Sequence, residues 1–288
     1  MSLASLQNTT GQLQPKYTKD TIKAGLCTPQ GAQRTWIVVE DTDDVHVYER
    51  FFDNNKTKIL TSENEKGRKG CEYLETIVKE ILEEENDPLI FGIRDTDYTR
   101  YEDPAHIIPP SIFHTDRRDI EMMMLEAPSV QDELKAWDPM IPQKIEEGKP
   151  VVRTLGYMRI CNHIHSLGCN FKNKVKVISA WDQTSHLLYS NWEDILLHKF
   201  TTNCNFSQAQ FDQIVQEKNL EHESDFDICQ GHDTIRLLQY MMIKIEYSED
   251  QIMARMTQAY SKEDFLRSRL CQKISDWAHA HSVTVIAS

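Results

Sequence analysis

Thr35-Trp36-Ile37-Val38-Val39-Glu40 and Leu89-Ile90-Phe91-Gly92-Ile93-Arg94-Asp95-Thr96-Asp97 are the two stretches that decide how this chain folds. Each is a short, unbroken apolar run, rich in β-branched or aromatic residues, that stops at acids. A strand that is apolar at every residue has to be covered on both faces, which is the situation of a central strand in a parallel sheet. Between the two runs, Val45, Tyr48, Phe51 and Phe52 fall at helical spacing within 43–52, and Lys58-Ile59-Leu60 reads as another short strand. A loop containing Gly67 and Gly70 follows. Tyr73, Ile77, Ile81 and Leu82 then mark the buried face of a helix that Asn86-Asp87-Pro88 stops. Strand, helix, strand, helix, strand implies right-handed crossovers, and a parallel sheet presents its functional groups at the carboxyl ends of its strands. Glu40, Asp95 and Asp97 all occupy such ends.

Outward from this core the pattern changes. Residues 1–32 are polar and aperiodic and are expected to form an arm ahead of a core spanning 33–127. Ile107 to His114 reads as an edge strand, the position in which Pro109-Pro110 is tolerated. A helix is expected from about Arg117, carrying Ile120, Met124 and Leu125, with Glu121 beside them. From 128 to 288 the chain reads as mostly helical, with amphipathic segments at 155–167, 192–200, 207–219, 233–247, 250–260 and 262–281 and one strand at 174–178. The fold class expected is α/β, a parallel sheet flanked by helices with a mostly α-helical C-terminal elaboration.

Composition sets limits on function. No stretch approaches the roughly 20 apolar residues of a membrane span, and the N-terminus lacks the charged-then-apolar pattern of a signal peptide, so a cytoplasmic protein is expected. The seven cysteines are scattered and include no CxxC pair, which predicts reduced thiols. With 32 basic and 45 acidic residues the net charge is -13, a field that repels polyanions on average. Basic segments remain at Lys66, Arg68 and Lys69, at Lys172, Lys174 and Lys176, and at Arg267, Arg269 and Lys273.

A glutamate delivered by one strand and an Asp-x-Asp pair delivered by another supply oxygen ligands on rigid elements, the requirement of a hard cation such as Mg²⁺ or Mn²⁺. Asp95 and Asp97 would hold the ion, and Glu40 would complete the site or move a proton. The competing reading is that these are ordinary solvated acids at strand ends.

Glu40 and Asp44 after the first strand, with Asp95 and Asp97 after a later one, resemble the Toprim signature shared by topoisomerases, primases and OLD-type nucleases. Asp41 stands where that family usually has glycine. Thr115-Asp116-Arg117-Arg118-Asp119-Ile120-Glu121 and Gln230-Gly231-His232-Asp233 resemble two elements of a bacterial Toprim subfamily that includes the nuclease effector of the PARIS anti-phage system. The resemblance is specific over 33–127 and thinner beyond. It implies a Toprim-like sheet and a metal-dependent endonuclease acting on RNA, tRNA among the targets, or on DNA. It also implies a toxic effector in anti-phage defence, held by an ABC-type ATPase partner and capable of forming a homodimer. On this reading Glu40, Asp95 and Asp97 are metal ligands, and Glu40, Asp44, Glu121 and His232 are catalytic candidates. A topoisomerase or primase is disfavoured because neither a zinc ribbon nor a gate domain is evident. The alternative is a non-catalytic Toprim-fold subunit that binds or regulates an ATPase complex.

Each downstream candidate has a plainer reading. Glu121 suits a solvent-facing helix acid, and Asp233 suits an N-cap, with His232 left open. Cys161, His163, His165 and Cys169 form a string that invites zinc, yet one straight helix cannot wrap four ligands around an ion, so packing is expected. Met122-Met123-Met124 and Met241-Met242 read as adaptable packing.

Overall fold

The computed structural model describes residues 18–63, 70–102, 106–182, 184–185, 187–242 and 247–287. The chain forms two compact units. The first runs to Arg94 and adds Ile108–Phe113 and Ser275–Ser288; the second comprises Asp95–Ile107 and His114–Ile274. The expected basic cluster at Lys66, Arg68 and Lys69 lies outside the described residues.

In the first unit, β1 (Thr35–Val39) is buried at every position, as an unbroken apolar run requires. It lies between β2 (Thr57–Thr61) and β3 (Ile90–Arg94) and is parallel to both, with Val39 opposite Thr61 on one side and Ile93 on the other. With β4 (Ile112–His114) the sheet has four strands in the order β2-β1-β3-β4. The crossovers are α2 (Thr42–Tyr48) and α3 (Cys71–Glu84), which begin and end close to the expected positions. Alternate residues of β1 and β3 point to opposite faces. Trp36, Val38 and Ile90 pack with Leu74, Ile77, Val78 and Ile81 of α3 and with Ile22. On the other face Phe91 meets the rings of Phe52, Phe113 and Trp277 at 6.1, 5.5 and 4.9 Å. Burying each large side chain contributes about 1.5–3 kcal/mol, and both faces are used.

Two expectations are corrected here. Part of the predicted polar arm is ordered, as α1 (Thr18–Leu26), because Ile22 finds the sheet core. The edge strand is confined to Ile112–His114, since Pro109 and Pro110 cannot donate to a ladder.

The second unit is helical. It contains α4 (Ile120–Glu126), α5 (Pro128–Trp137), α6 (Ile141–His165), α7 (Trp192–Cys204), α8 (Gln208–Glu217), α9 (Asp225–Ile228), α10 (Gly231–Met241), α11 (Glu249–Ala259), α12 (Lys262–Arg267) and the start of α13 (Arg269–Ala280). The strand expected at 174–178 does not form. That segment leads instead into a 3₁₀ turn, Val177–Ala180, followed by an unanticipated two-stranded antiparallel hairpin, β5 (Trp181–Asp182) and β6 (Leu187–Leu188). The helix expected at 155–167 begins at Ile141 and continues through Pro150. Gly148 has a packing reason: a Cβ there would come within 2.0 Å of Leu237 Cδ2 on α10. The predicted helix 262–281 is broken at Ser268, whose backbone is extended.

The expectation that all cysteines are reduced thiols is also corrected. Cys169 is joined to Cys204, across a Cα separation of 5.5 Å that suits a disulfide; their distance in sequence gave no sign of it. Among the described residues no helix is long and apolar enough to cross a membrane.

At the end of β3 the Arg94 guanidinium makes a charge-assisted hydrogen bond to Glu75 of α3, and both side chains are nearly inaccessible. Removing one partner of such a pair costs the other, a buried charge, a strong hydrogen bond. Glu75→Ala is therefore expected to lower the unfolding free energy by about 3–5 kcal/mol, measured by urea titration, with Glu75→Ala/Arg94→Met recovering most of the loss.

Candidate functional site

Glu40 directly follows β1, and the backbone beyond it is tightly specified. Asp41 is the N-cap of α2 and Asp44 its third residue, joined in a reciprocal capping box: the Asp41 N–H donates to Asp44 Oδ2 at 2.9 Å. Asp41 has φ -136° and ψ 179°, extended backbone that any residue adopts, so the turn does not require the glycine usual in the resembled family. Asp44 is buried and engaged in this cap. Its position gives it the task of fixing the turn after Glu40. From the neighbouring strand end, the Ser62 hydroxyl lies 3.1 Å from the Glu40 carbonyl oxygen.

Asp95 and Asp97 begin the second unit, immediately past β3. The loop is anchored by its backbone: the Thr96 N–H donates to Thr115 Oγ1 at 2.9 Å, and the Asp97 N–H donates to the Arg118 carbonyl at 2.8 Å. Asp97 sits at φ +33°, in the left-handed region where a side chain is strained and where Asp is better tolerated than most residues. These bonds hold it there.

The residue that organises the surroundings is Arg118, which sequence reasoning did not single out. Its side chain is wholly buried. Nη1 donates to the Ile228 carbonyl, Nε lies 3.7 Å from Asp97 Oδ1, and the guanidinium carbon stands 4.8 Å from the centre of the Tyr98 ring. His163 of α6 stacks on Tyr98 at 4.5 Å with the rings 12° apart. The next residue, Asp119, is also buried. It caps α4 by accepting from the Met122 N–H at 2.9 Å and accepts from the Gly231 N–H at 2.8 Å. Burial pushes the Asp119 carboxyl above the usual carboxylate range, against the pull of these two donors and of the Arg118 cation.

Glu121, on α4, is buried rather than solvent-facing, and its Oε1 lies 3.4 Å from His232 Nε2 on α10. The expectation that Asp233 caps α10 is corrected. The N-cap position is Gln230, and Asp233 lies inside the helix, bound by Arg159 of α6 through Nε at 2.9 Å and Nη2 at 3.2 Å. The Cys161-to-Cys169 string serves packing: Cys161 is buried, its thiol pushed up to about 12 by burial; His163 stacks on Tyr98, His165 meets Phe206, and Cys169 is in the disulfide. Met122, Met123 and Met124 are buried.

Thus the structure brings Asp97 to Arg118 and Glu121 to His232, and it gives Asp44 a capping bond. Among the described residues no three His, Cys, Asp or Glu side chains are gathered as a metal-binding group. By donor chemistry, carboxylates such as those that follow β1 and β3 suit a hard divalent cation. No family model matches this chain, and no curated protein matches it.

Arg118 gives the polar interior its counter-charge, and its removal has a signed pH dependence. Arg118→Met would raise the Asp119 carboxyl further. A carboxyl whose folded value exceeds its unfolded one is destabilising once pH rises above the unfolded value, and the penalty grows until pH passes the folded value. The variant is expected to lose about 3–5 kcal/mol at neutral pH and less in acid, below the ordinary carboxylate range, by urea titration. An equal loss at both would contradict this assignment.

Proposed function

We propose that the protein hydrolyses nucleic-acid phosphodiester bonds with the aid of Mg²⁺ or Mn²⁺ held by Glu40, Asp95 and Asp97. The observation that carries this reading is the pairing of β1 with β3. The two strands are adjacent, parallel and in register at Val39 and Ile93, and the chain leaves their carboxyl ends directly into Glu40 and into Asp95-Thr96-Asp97. Such strand ends are where parallel sheets hold their ligands. When bound, the ion would neutralise charge developing on the phosphate and favour attack by water. The chain's own groups would do the rest. The strained, doubly anchored loop holds Asp97 in place, the capping box fixes the direction in which the chain leaves Glu40, and the Glu121–His232 pair offers a group for proton transfer.

The high negative charge is countered locally. Arg267 pairs with Glu263, and Arg269 lies 4.0 Å from Asp116, whereas no ion pair among the described residues involves Lys172, Lys174 or Lys176. We therefore assign polyanion contact to those lysines. The sequence resemblance extends the proposal to an effector of anti-phage defence in the bacterial cytoplasm, restrained by an ABC-type ATPase, with tRNA as a target.

A second reading is favoured by one observation, the lack of a gathered three-ligand group among the described residues. On that reading the chain is a non-catalytic Toprim-like subunit that binds or regulates an ATPase.

Incubating the purified protein with plasmid DNA and total tRNA, with Mg²⁺ or with EDTA, separates the two. The proposal expects cleavage that EDTA abolishes and that Glu40→Ala, or Asp95→Ala with Asp97→Ala, lowers by about a hundred- to a thousandfold or more, with the fold retained by circular dichroism. A soluble Glu40→Ala protein that cleaves as well as the parent, or a parent that cleaves nothing and does not arrest its host on overexpression, would favour the binding subunit.

A further inference from the structure

The amino end of α10 has no cap of its own. Gln230 supplies no side-chain cap, and the first helical N–H, that of Gly231, is satisfied by Asp119 Oδ2. The other oxygen of the same carboxylate caps α4 through Met122. One buried side chain therefore closes the amino ends of two helices, the second through a bond to a residue 112 positions further along the chain. It can do so only because position 231 has no side chain. A Cβ there would stand 2.2 Å from Glu121 Cβ and 2.7 Å from Asp119 Oδ1, closer than real Cβ atoms approach. Gly231 is needed for this close approach, not for an unusual backbone angle.

This junction fixes the two residues next to it. His232 follows Gly231, and Glu121 lies two residues beyond Asp119, so the clamp dictates the separation at which their side chains meet. His232 Nε2 faces Glu121 Oε1 at 3.4 Å, with the Glu121 side chain 6% exposed and the His232 side chain 54% exposed. On the far side, Arg159 grips Asp233 with two hydrogen bonds and keeps α10 from turning. The inner member of the pair is thus shielded and the outer one presented to solvent, the arrangement in which a buried carboxylate orients an imidazole that exchanges protons with something outside.

We propose that Asp119 and Gly231 are positioning residues that hold Glu121 and His232 as a single proton-transfer pair. In that pair His232 Nε2–H donates to the Glu121 carboxylate, and Nδ1 takes a proton from a water molecule or returns it to a departing oxygen. The geometric part stands independently of the hydrolytic reading; the catalytic consequence rests on it.

The test uses the full chain and two readouts. The first is the imidazole signals of His232 in the NMR spectrum, assigned by their loss in His232→Gln, which needs neither metal nor substrate. Gly231→Ala, and the isosteric Asp119→Asn, which can accept only one of the two N–H bonds, should move those signals in the direction in which Glu121→Gln moves them. The second is the cleavage of tRNA and plasmid with Mg²⁺. Each positioning variant should lower kcat by about a hundredfold with KM within about twofold, and Gly231→Ala/His232→Gln should be no slower than His232→Gln alone, because two changes to one unit do not add. His232 signals unmoved in a folded Asp119→Asn protein, or additive losses in the double variant, would overturn the proposal. His232 signals that move in the variants, when the parent itself cleaves nothing, would uphold the clamp and remove the hydrolytic reading instead.

Discussion

A carboxylate taken out of water must be given hydrogen-bond donors and a nearby positive charge, and much of the second unit follows from how Asp119 meets that requirement. Its donors are the N–H of Met122, the third residue of α4, and the N–H of Gly231, the first residue of α10, and the Arg118 cation lies beside it. Arg118 in turn is held by the Ile228 carbonyl and reaches Asp97, so the loop that follows β3 is tied to the same cluster. Three carboxylates bear on this one guanidinium: Asp97, Asp119 and Asp233. The arrangement is costly to bury and costly to break, and it defines the geometry of every downstream site candidate.

The segment from Thr115 to Glu121 acts as a junction because nearly all its side chains work at a distance. Asp116 accepts from the N–H groups of Arg269 and Leu270 and so starts α13. Arg117 pairs with Glu126 and lies 3.5 Å from Asp227. Asp119 joins α4 to α10, and Glu121 meets His232. A short run that touches α9, α10 and α13 concentrates polar groups where chemistry can be built, while the helices around it supply the apolar packing.

What was legible in the sequence was local. The unbroken apolar runs around Ile37 and Phe91 identified the central strands, and the spacing of Ile77 and Ile81 identified α3, because burial on two faces or on one stripe leaves a periodic trace. The acids that end β1 and β3 were legible for the same reason. Less could be read where structure depends on partners far along the chain. Arg118 gives no signal of burial in sequence, since arginine is normally exposed. The break between α12 and α13 is fixed by Asp116, 153 residues earlier, and the Cys169–Cys204 bond left no spacing motif. Asp119 was legible only as part of the resembled element 115–121, within a helix expected from about Arg117; its capping of α4 and its bond to Gly231 were not. Pro150 and Gly148 concealed the first half of α6, which is held by burial of Val151, Val152 and Leu155 and by the close approach of Leu237.

The account turns on whether the acids at the carboxyl ends of β1 and β3 act together on one divalent cation, and that can be measured without a substrate. Calorimetric titration of Mn²⁺ into the purified protein should give saturable binding that is lost in Glu40→Ala and in Asp97→Asn, with both variants folded by circular dichroism. Binding that survives both substitutions, or no saturable binding by the parent, would contradict it.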